Sequence, residues 1–146
     1  MLFLPMKSKR FSYVLITSLV VSSTFLAPQL AWSGAAEAEK LLQGLVIETK
    51  RPVSAEQGKA FFVNKHGRDW SCATCHGAPP TSMGKHITTN KLIDPLAPRL
   101  NPERFSRSSR TEKWFRRNCK DVLDRECTLA EKADVLAYLL SLEGSK

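Results

Sequence analysis

The sequence predicts an all-α domain of four to five helices, because three segments begin with the residues that cap helices. In each, a Ser or Thr is followed three residues later by a Glu or Gln, and the two side chains can satisfy amide groups left free in the first turn. The three pairs are Ser54 with Gln57, Ser109 with Glu112, and Thr128 with Glu131. The segments that follow predict helices over 55–64, 110–123 and 129–142.

Two other segments complete the predicted helices, and one long segment lacks them. Residues 37–47 carry apolar residues at helical spacing, which predicts an amphipathic packing helix. Asn101-Pro102 predicts a short turn at 103–105, since Pro suits the first helical position. Residues 77–101 are rich in Pro and poor in periodicity, so we expect an irregular wrap of the kind that usually serves a function.

The first 33 residues have the pattern of an export signal. A basic start at 7–10 precedes an uncharged apolar run at 11–26, and small residues within 31–35 supply a cleavage site. The run of about 16 residues is shorter than the roughly 20 that a membrane-spanning helix needs. We therefore predict a signal peptide at 1–33, a single domain at 34–146 and a periplasmic location, with an uncleaved membrane anchor as the alternative.

The segment Cys72-Ala73-Thr74-Cys75-His76 is the strongest chemical motif. Two thiols at this spacing form thioethers to the vinyl groups of a c-type haem, and the His that follows binds the iron. The alternatives are a redox Cys-x-x-Cys pair, which usually follows a strand, and half of a zinc site, which needs a second ligand pair. The export signal favours haem, so we predict one covalent haem c held by Cys72 and Cys75, with His76 on the iron.

Charge and the remaining cysteines narrow the function further. Three of the 22 basic residues and none of the 14 acidic ones lie in 1–33. The domain at 34–146 therefore has a net charge of about +5. The basic residues are spread out and accompany no nucleic-acid motif, so the charge favours an acidic redox partner or a membrane surface and not nucleic acid. Cys119 and Cys127 remain, and an oxidising compartment favours a disulfide between them, worth roughly 2.5 kcal/mol in the chain-entropy model.

The second axial position on the iron decides what such a protein does. A permanent Met or His ligand would make a conventional low-spin electron shuttle. The candidates beyond 1–33 are Met83, His66 and His86. Met83 follows His76 by only seven residues, which makes the opposite face of the ring hard to reach.

One block near the C-terminus is specific: Trp114-Phe115-Arg116-Arg117-Asn118-Cys119, with Cys127 eight positions after Cys119. Together with 58–62, 66–72 and 97–105, this block resembles the sphaeroides haem protein family of high-spin monohaem cytochromes c. The resemblance covers nearly the whole domain after residue 33. It implies a class I cytochrome c fold of four to five helices around one haem, in which the last helix crosses the helix 55–64.

The resemblance also implies a set of site residues. Asn118 would bind ferric iron through its side-chain oxygen and leave on reduction, which opens the site to dioxygen or nitric oxide. Cys119 and Cys127 would form a disulfide close to the haem. From its spacing alone, Trp114 shares a helix face with Asn118, one turn later, and is either a core aromatic or part of the wall around the haem. The last helix is also similar to the C-terminal helix of class I cytochromes c, which would place Tyr138 at the helix crossing near Gly58 and Phe62.

The function implied is a periplasmic electron carrier whose reduced form binds a small diatomic ligand. Electrons would come from another haem protein, and members of the family are often associated with a dihaem cytochrome c and a membrane cytochrome b. Whether the bound gas is also reduced is left open. A conventional shuttle with a Met or His ligand, and a gas sensor or scavenger, are the alternatives.

Overall fold

The computed structural model describes residues 34–67 and 69–142, which form five helices and one small antiparallel hairpin. The elements in chain order are α1 Gly34–Thr49, α2 Ala55–Val63, α3 Cys72–His76, β1 Gly84–Lys85, β2 Leu92–Ile93, α4 Ser108–Leu123 and α5 Leu129–Ser141. The all-α prediction is confirmed, and the hairpin lies in the segment expected to be irregular. The predicted signal peptide lies outside the described residues. Among the helices described, none has the length and apolar character to cross a membrane.

The crossing of α2 and α5 is the tightest contact between helices. A Cβ at Gly58 would lie 1.9 Å from the backbone oxygen of Asp134, so a side chain there would force the helices apart. One turn later Phe62, which is 2% exposed, packs on Tyr138 with ring centroids 5.6 Å apart. The predicted position of Tyr138 near Gly58 and Phe62 is confirmed.

The helix α5 is central because two of its faces are buried. Ala133 and Leu136 pack with Ala38 and Leu45 of α1 in one core cluster. Val135 and its neighbours along α5 pack with α2 in a second cluster. Since α1 and α2 contact different sides of α5, the three helices form the scaffold on which the rest of the chain is held.

Asp134 of α5 binds the loop that connects α1 to α2. Its buried carboxylate accepts a hydrogen bond from the Ser54 amide at 2.8 Å and forms an ion pair with Arg51, which also donates to the Ala130 carbonyl at 3.1 Å. The Ser54 hydroxyl accepts from the Gln57 amide at 3.1 Å, as the capping box predicts. The reciprocal bond to the Ser54 amide is made by Asp134 and not by the Gln57 side chain, because the carboxylate of the adjacent helix occupies that position.

The capping box predicted at the start of α4 is wrong. The helix begins at Ser108, with Arg107 as its N-cap residue and no side-chain cap. Glu112 instead accepts a hydrogen bond at 2.7 Å from the ammonium of Lys132, a residue of α5 that is only 8% exposed. A buried ammonium needs a charged partner, so the pairing between helices competes successfully with the local cap.

The capping box at the start of α5 is present. The Thr128 amide donates to the Glu131 carboxylate at 2.8 Å, and the Glu131 amide donates to the Thr128 hydroxyl at 3.2 Å. Arg125 adds two hydrogen bonds to the same carboxylate, at 2.8 and 2.6 Å. Those bonds, chiefly from Arg125, lower the pKa of Glu131 from 4.5 to about 2.

This arrangement predicts a measurable effect at acid pH. A carboxylate whose pKa is lower in the folded state stabilises the fold above its unfolded pKa, and that contribution is lost as the pH falls through its folded pKa. Between about pH 4.5 and pH 2, the free energy of unfolding of Glu131→Gln should therefore fall less steeply than that of the unaltered protein. Urea unfolding at a series of pH values measures this, with exposed Glu126→Gln as the control that keeps the full slope. Equal slopes in both variants would contradict the assignment.

Candidate haem-binding site

The helix α3 is a single turn that presents Cys72, Cys75 and His76. Both cysteines are free thiols and partly buried, and their separation by three residues places them on the same side of the turn. At the start of the turn the Ser71 amide donates to the Thr74 hydroxyl at 2.9 Å, which fixes the entry of the chain. The local sequence therefore holds both sulfurs and the imidazole in one compact unit.

Burial keeps the Cys72 thiol and the His76 imidazole uncharged near neutral pH. It raises the pKa of the Cys72 thiol to about 11, although a backbone hydrogen bond partly offsets the shift. Burial also lowers the pKa of His76 to about 4, and electrostatic interactions with Arg104 and His86 act in the same direction. His76 is thus a neutral imidazole, the form that binds a metal ion.

The hairpin β1–β2 packs against the backbone at the end of α3. A Cβ at Gly84 would lie 2.3 Å from the Cys75 carbonyl oxygen and 3.1 Å from the His76 Cα, so glycine is required for this approach. The Ile87 amide lies 3.4 Å from the Cys75 sulfur, to which it donates. The hairpin thereby holds Cys75 and His76 in place from one side.

A single apolar cluster joins α3 to α2, α4 and α5. Phe62 is a buried member, and Cys72 of α3 and Phe115 of α4 pack against the cluster. The Phe62 ring centroid lies 6.3 Å from that of His76. The motif of α3 and the inner side of α4 are therefore supported by the same group of apolar side chains.

Asn118 lies three residues after Phe115 and one turn after the exposed Trp114, at the edge of the side of α4 that packs on this cluster. Its side chain is partly buried, and it makes no hydrogen bond within the part of the chain that the structure describes. The next residue, Cys119, forms a disulfide with Cys127, with a Cα–Cα distance of 5.5 Å. The expected disulfide is therefore present and ties the end of α4 to the residue before the Thr128 cap.

The two other histidines are engaged by nearby backbone groups. His66 Nε2 lies 2.7 Å from the Phe61 carbonyl oxygen, to which it donates, and the two rings lie 4.4 Å apart. His86 Nδ1 lies 3.2 Å from the amides of residues 88 and 89 and accepts from both. Each imidazole therefore has one nitrogen occupied by a local turn or helix end.

Met83 and Trp114 are both exposed. Met83 is 52% exposed and directly precedes Gly84, the residue that touches the backbone of His76. Trp114 is 45% exposed, and the Arg117 guanidinium lies 5.7 Å from its ring centroid. The placing of Trp114 in the wall around the haem stays a prediction.

The residues of the site fit a covalently attached haem better than the two alternatives. A zinc site would need a second pair of thiolates, but Cys119 and Cys127 are joined to each other. In the described ranges 34–67 and 69–142, no group of three or more His, Cys, Asp or Glu is placed to hold a metal ion. The helix α3 also does not follow a strand, as a redox pair usually does. Two free thiols, a neutral imidazole and an apolar cluster are the groups that haem attachment requires.

Comparison with known proteins identifies the family. Residues 48–139 match the model of a domain of unknown function, DUF1924. The chain is 42% identical over 125 residues to the cytochrome c-type protein SHP of Cereibacter sphaeroides, an alignment that covers 83% of this chain and 95% of the relative. The chain belongs to the SHP family of c-type cytochromes. Its cofactor is accordingly one covalently attached haem c, and the prediction of haem and iron is confirmed.

Solved structures of SHP-family relatives have the same fold. The crystal structure of oxidised cytochrome c'' from Methylophilus methylotrophus superposes with a TM-score of 0.68 at 36% identity, covering 76% of this chain and 99% of that one. The structure of oxidised SHP gives a TM-score of 0.66 at 42% identity, covering 72% of this chain and 96% of that one. The predicted class I cytochrome c fold is confirmed.

Sequence reasoning missed two residues that shape the site of this SHP-family cytochrome. Gly84 allows the hairpin to reach α3, but a lone glycine in an irregular segment gave no signal of that contact. Arg104 donates to the carbonyls of Asp94 and Pro95 at 3.0 and 3.4 Å, and its charge contributes to the lowered pKa of His76. Its position after the Asn101-Pro102 turn predicted a loop and gave no indication of this role.

Proposed function

We propose that this cytochrome is a periplasmic electron-transfer protein whose reduced form binds dioxygen or nitric oxide. Cys72 and Cys75 would hold the haem through thioethers, His76 would bind the iron, and Asn118 would be the second protein ligand of the iron in the oxidised protein. The haem supplies one-electron redox chemistry at its iron. The observation that carries the proposal is the Asn118 carboxamide, which is partly buried near the cluster and makes no hydrogen bond within the described residues.

The chemistry of Asn118 accounts for a ligand that leaves on reduction. An amide oxygen is a hard, neutral and weak donor, so it suits ferric iron better than ferrous iron. The Asn118 side chain can rotate away without moving the helix, because the adjacent Cys119 is fixed by its disulfide. His76 stays in place through the packing of Gly84 on its backbone. His76 is therefore held in position, whereas the Asn118 side chain is able to move.

The relatives support both parts of this proposal. The solved SHP is described as an oxygen binding cytochrome c. The solution structure of cytochrome c'' from Methylophilus methylotrophus is described as giving insight into the structural basis of haem-ligand detachment. Ligand release and oxygen binding are the two properties that a labile Asn118 would combine.

The positions of the competing ligands also favour Asn118. Met83 and His86 lie on or beside the hairpin that packs against the backbone of Cys75 and His76. His66 is held by the Phe61 carbonyl through Nε2.

Export and electron supply complete the proposal. The disulfide between Cys119 and Cys127 suits an oxidising compartment such as the periplasm. Electrons arrive from another haem protein, and a dihaem cytochrome c and a membrane cytochrome b are the partners that we expect from the family resemblance. Reduction of the bound gas is a separate question that multiple-turnover gas consumption under reductant would answer.

The test is the optical and paramagnetic resonance spectrum of Asn118→Ala in both oxidation states. Loss of the amide ligand should change the ferric spectrum, whereas the ferrous spectrum should stay that of the unaltered protein, because the ligand has already left in that state. Asn64→Ala, at an exposed position after α2, is the matched control and should change neither spectrum. A ferric spectrum that Asn118→Ala leaves unchanged would rule out the ligand assignment.

A further inference from the structure

The outer side of α4 forms a groove lined by basic side chains. Its volume is about 560 Å³, and we call it the cationic groove. The lining residues are Arg107, Ser109, Arg110, Lys113, Trp114 and Arg117. Spacings of three and four residues place them on one side of the helix, while Phe115 faces the apolar cluster on the other.

The basic side chains of the groove are not neutralised within the described residues. Arg107, Arg110 and Lys113 form no ion pair with any part of the chain that the structure describes. Glu112, in the same turns of the helix, is already paired with Lys132 at 2.7 Å. A concentration of like charge raises the free energy of the surface, and an acidic partner would relieve it.

Trp114 indicates what kind of partner fits this surface. Its ring is 45% exposed among the basic residues and contacts the Arg117 guanidinium, with 5.7 Å between the ring centroid and the charge centre. A small anion would bind the basic side chains and leave the Trp114 ring exposed to water. Trp and Arg are the residues that dominate the binding energy of protein interfaces, where the ring is buried against the partner.

We propose that the cationic groove docks the carboxylate-rich surface of the protein that donates electrons to this cytochrome. This inference rests on the proposed electron-transfer function. Because Trp114 of the groove precedes Asn118 by one turn of α4, a donor docked there would lie beside the Asn118 position. The charges would steer the encounter, and Trp114 would anchor the complex.

The test measures the rate at which an acidic electron-transfer protein reduces the oxidised holo-cytochrome. Flavodoxin in its hydroquinone form serves as the probe, in stopped-flow experiments over a range of ionic strength. Arg110→Glu/Lys113→Glu should slow reduction about tenfold or more at low salt and approach the unaltered protein at high salt. Lys50→Glu/Lys59→Glu makes the same change of net charge at exposed positions near α2 and should slow it by less than about threefold.

Trp114→Ala separates anchoring from steering. This variant should weaken the complex while leaving the dependence of the association rate on salt as it is, because no charge is removed. An equal slowing by both charge-reversal pairs, or none by either, would overturn the groove as the docking site. Stronger binding of the holo-cytochrome to phosphatidylglycerol vesicles than to flavodoxin, abolished by Arg110→Glu/Lys113→Glu, would overturn the protein partner in favour of a lipid surface.

Dioxygen binding by the same variants distinguishes this inference from the proposed function. Reduced Arg110→Glu/Lys113→Glu should bind dioxygen as the unaltered protein does. If the unaltered protein binds dioxygen but its rate of reduction by flavodoxin does not depend on salt, only the docking site is ruled out. If the protein does not bind dioxygen but Arg110→Glu/Lys113→Glu still slows its reduction, the labile ligand is ruled out and the docking site is supported.

Discussion

Cys72→Ala/Cys75→Ala, produced in cells with the machinery for haem attachment, is expected to have the mass of the bare chain. Both thiols of α3 are free and partly buried, and no other free thiol is present in the described residues, so no second thioether route remains. Intact-mass spectrometry of the denatured protein measures the attachment directly. Each single variant should keep a haem by one thioether.

The control for this experiment removes the other cysteine pair. Cys119→Ser/Cys127→Ser changes the same number of sulfur atoms and should still carry the mass of one haem, although the protein should be less stable by roughly 2.5 kcal/mol. Haem retained covalently by the chain without Cys72 and Cys75 would contradict the attachment assignment.

Gly58→Ala is expected to destabilise the protein by about 3 kcal/mol, because the new methyl group meets backbone and not a flexible side chain. The Cβ would lie 1.9 Å from the Asp134 carbonyl oxygen, so α2 must move away from α5. That movement would carry Phe62 away from His76 and disturb the site as well. Urea unfolding of the holoprotein gives the change in the free energy of unfolding.

Gly44→Ala provides the matched control within the same chain. Gly44 is exposed in α1, and a Cβ there would meet nothing within 4 Å. The same substitution should therefore stabilise the protein by about 0.5–1 kcal/mol through helix propensity alone. If both variants change the free energy of unfolding by a similar amount, the close approach of Gly58 to Asp134 does not determine the effect of Gly58→Ala.

The elements that were predictable from the sequence are those determined by local signals. The Thr128 to Glu131 capping box gave the start of α5 correctly, and the Cys-x-x-Cys-His spacing gave the cofactor. The crossing of α2 and α5 followed from a family resemblance that rested on residues such as Gly58 and Phe62.

The features that were not predictable depend on partners far away in sequence. Glu112 satisfies the rule for a capping box with Ser109, yet it pairs with Lys132, twenty residues later. Asp134 replaces Gln57 at the Ser54 amide because α5 happens to pass beside the start of α2. Gly84 contacts α3 through a turn of the irregular segment. In each case the local pattern is compatible with two partners, and only the packing of distant segments selects one.

The disulfide at the end of α4 has a consequence for how fast the site can respond. Cys119 and Cys127 are 5% and 9% exposed, so soluble reductants reach the bridge poorly and it should survive repeated redox cycles. Under the proposed function, release of the iron by Asn118 would need only rotation of its side chain, because the disulfide holds the adjacent backbone. Side-chain rotations are faster than helix shifts, which take microseconds to milliseconds, so the proposed binding of a gas after reduction would not be limited by a rearrangement of the helices.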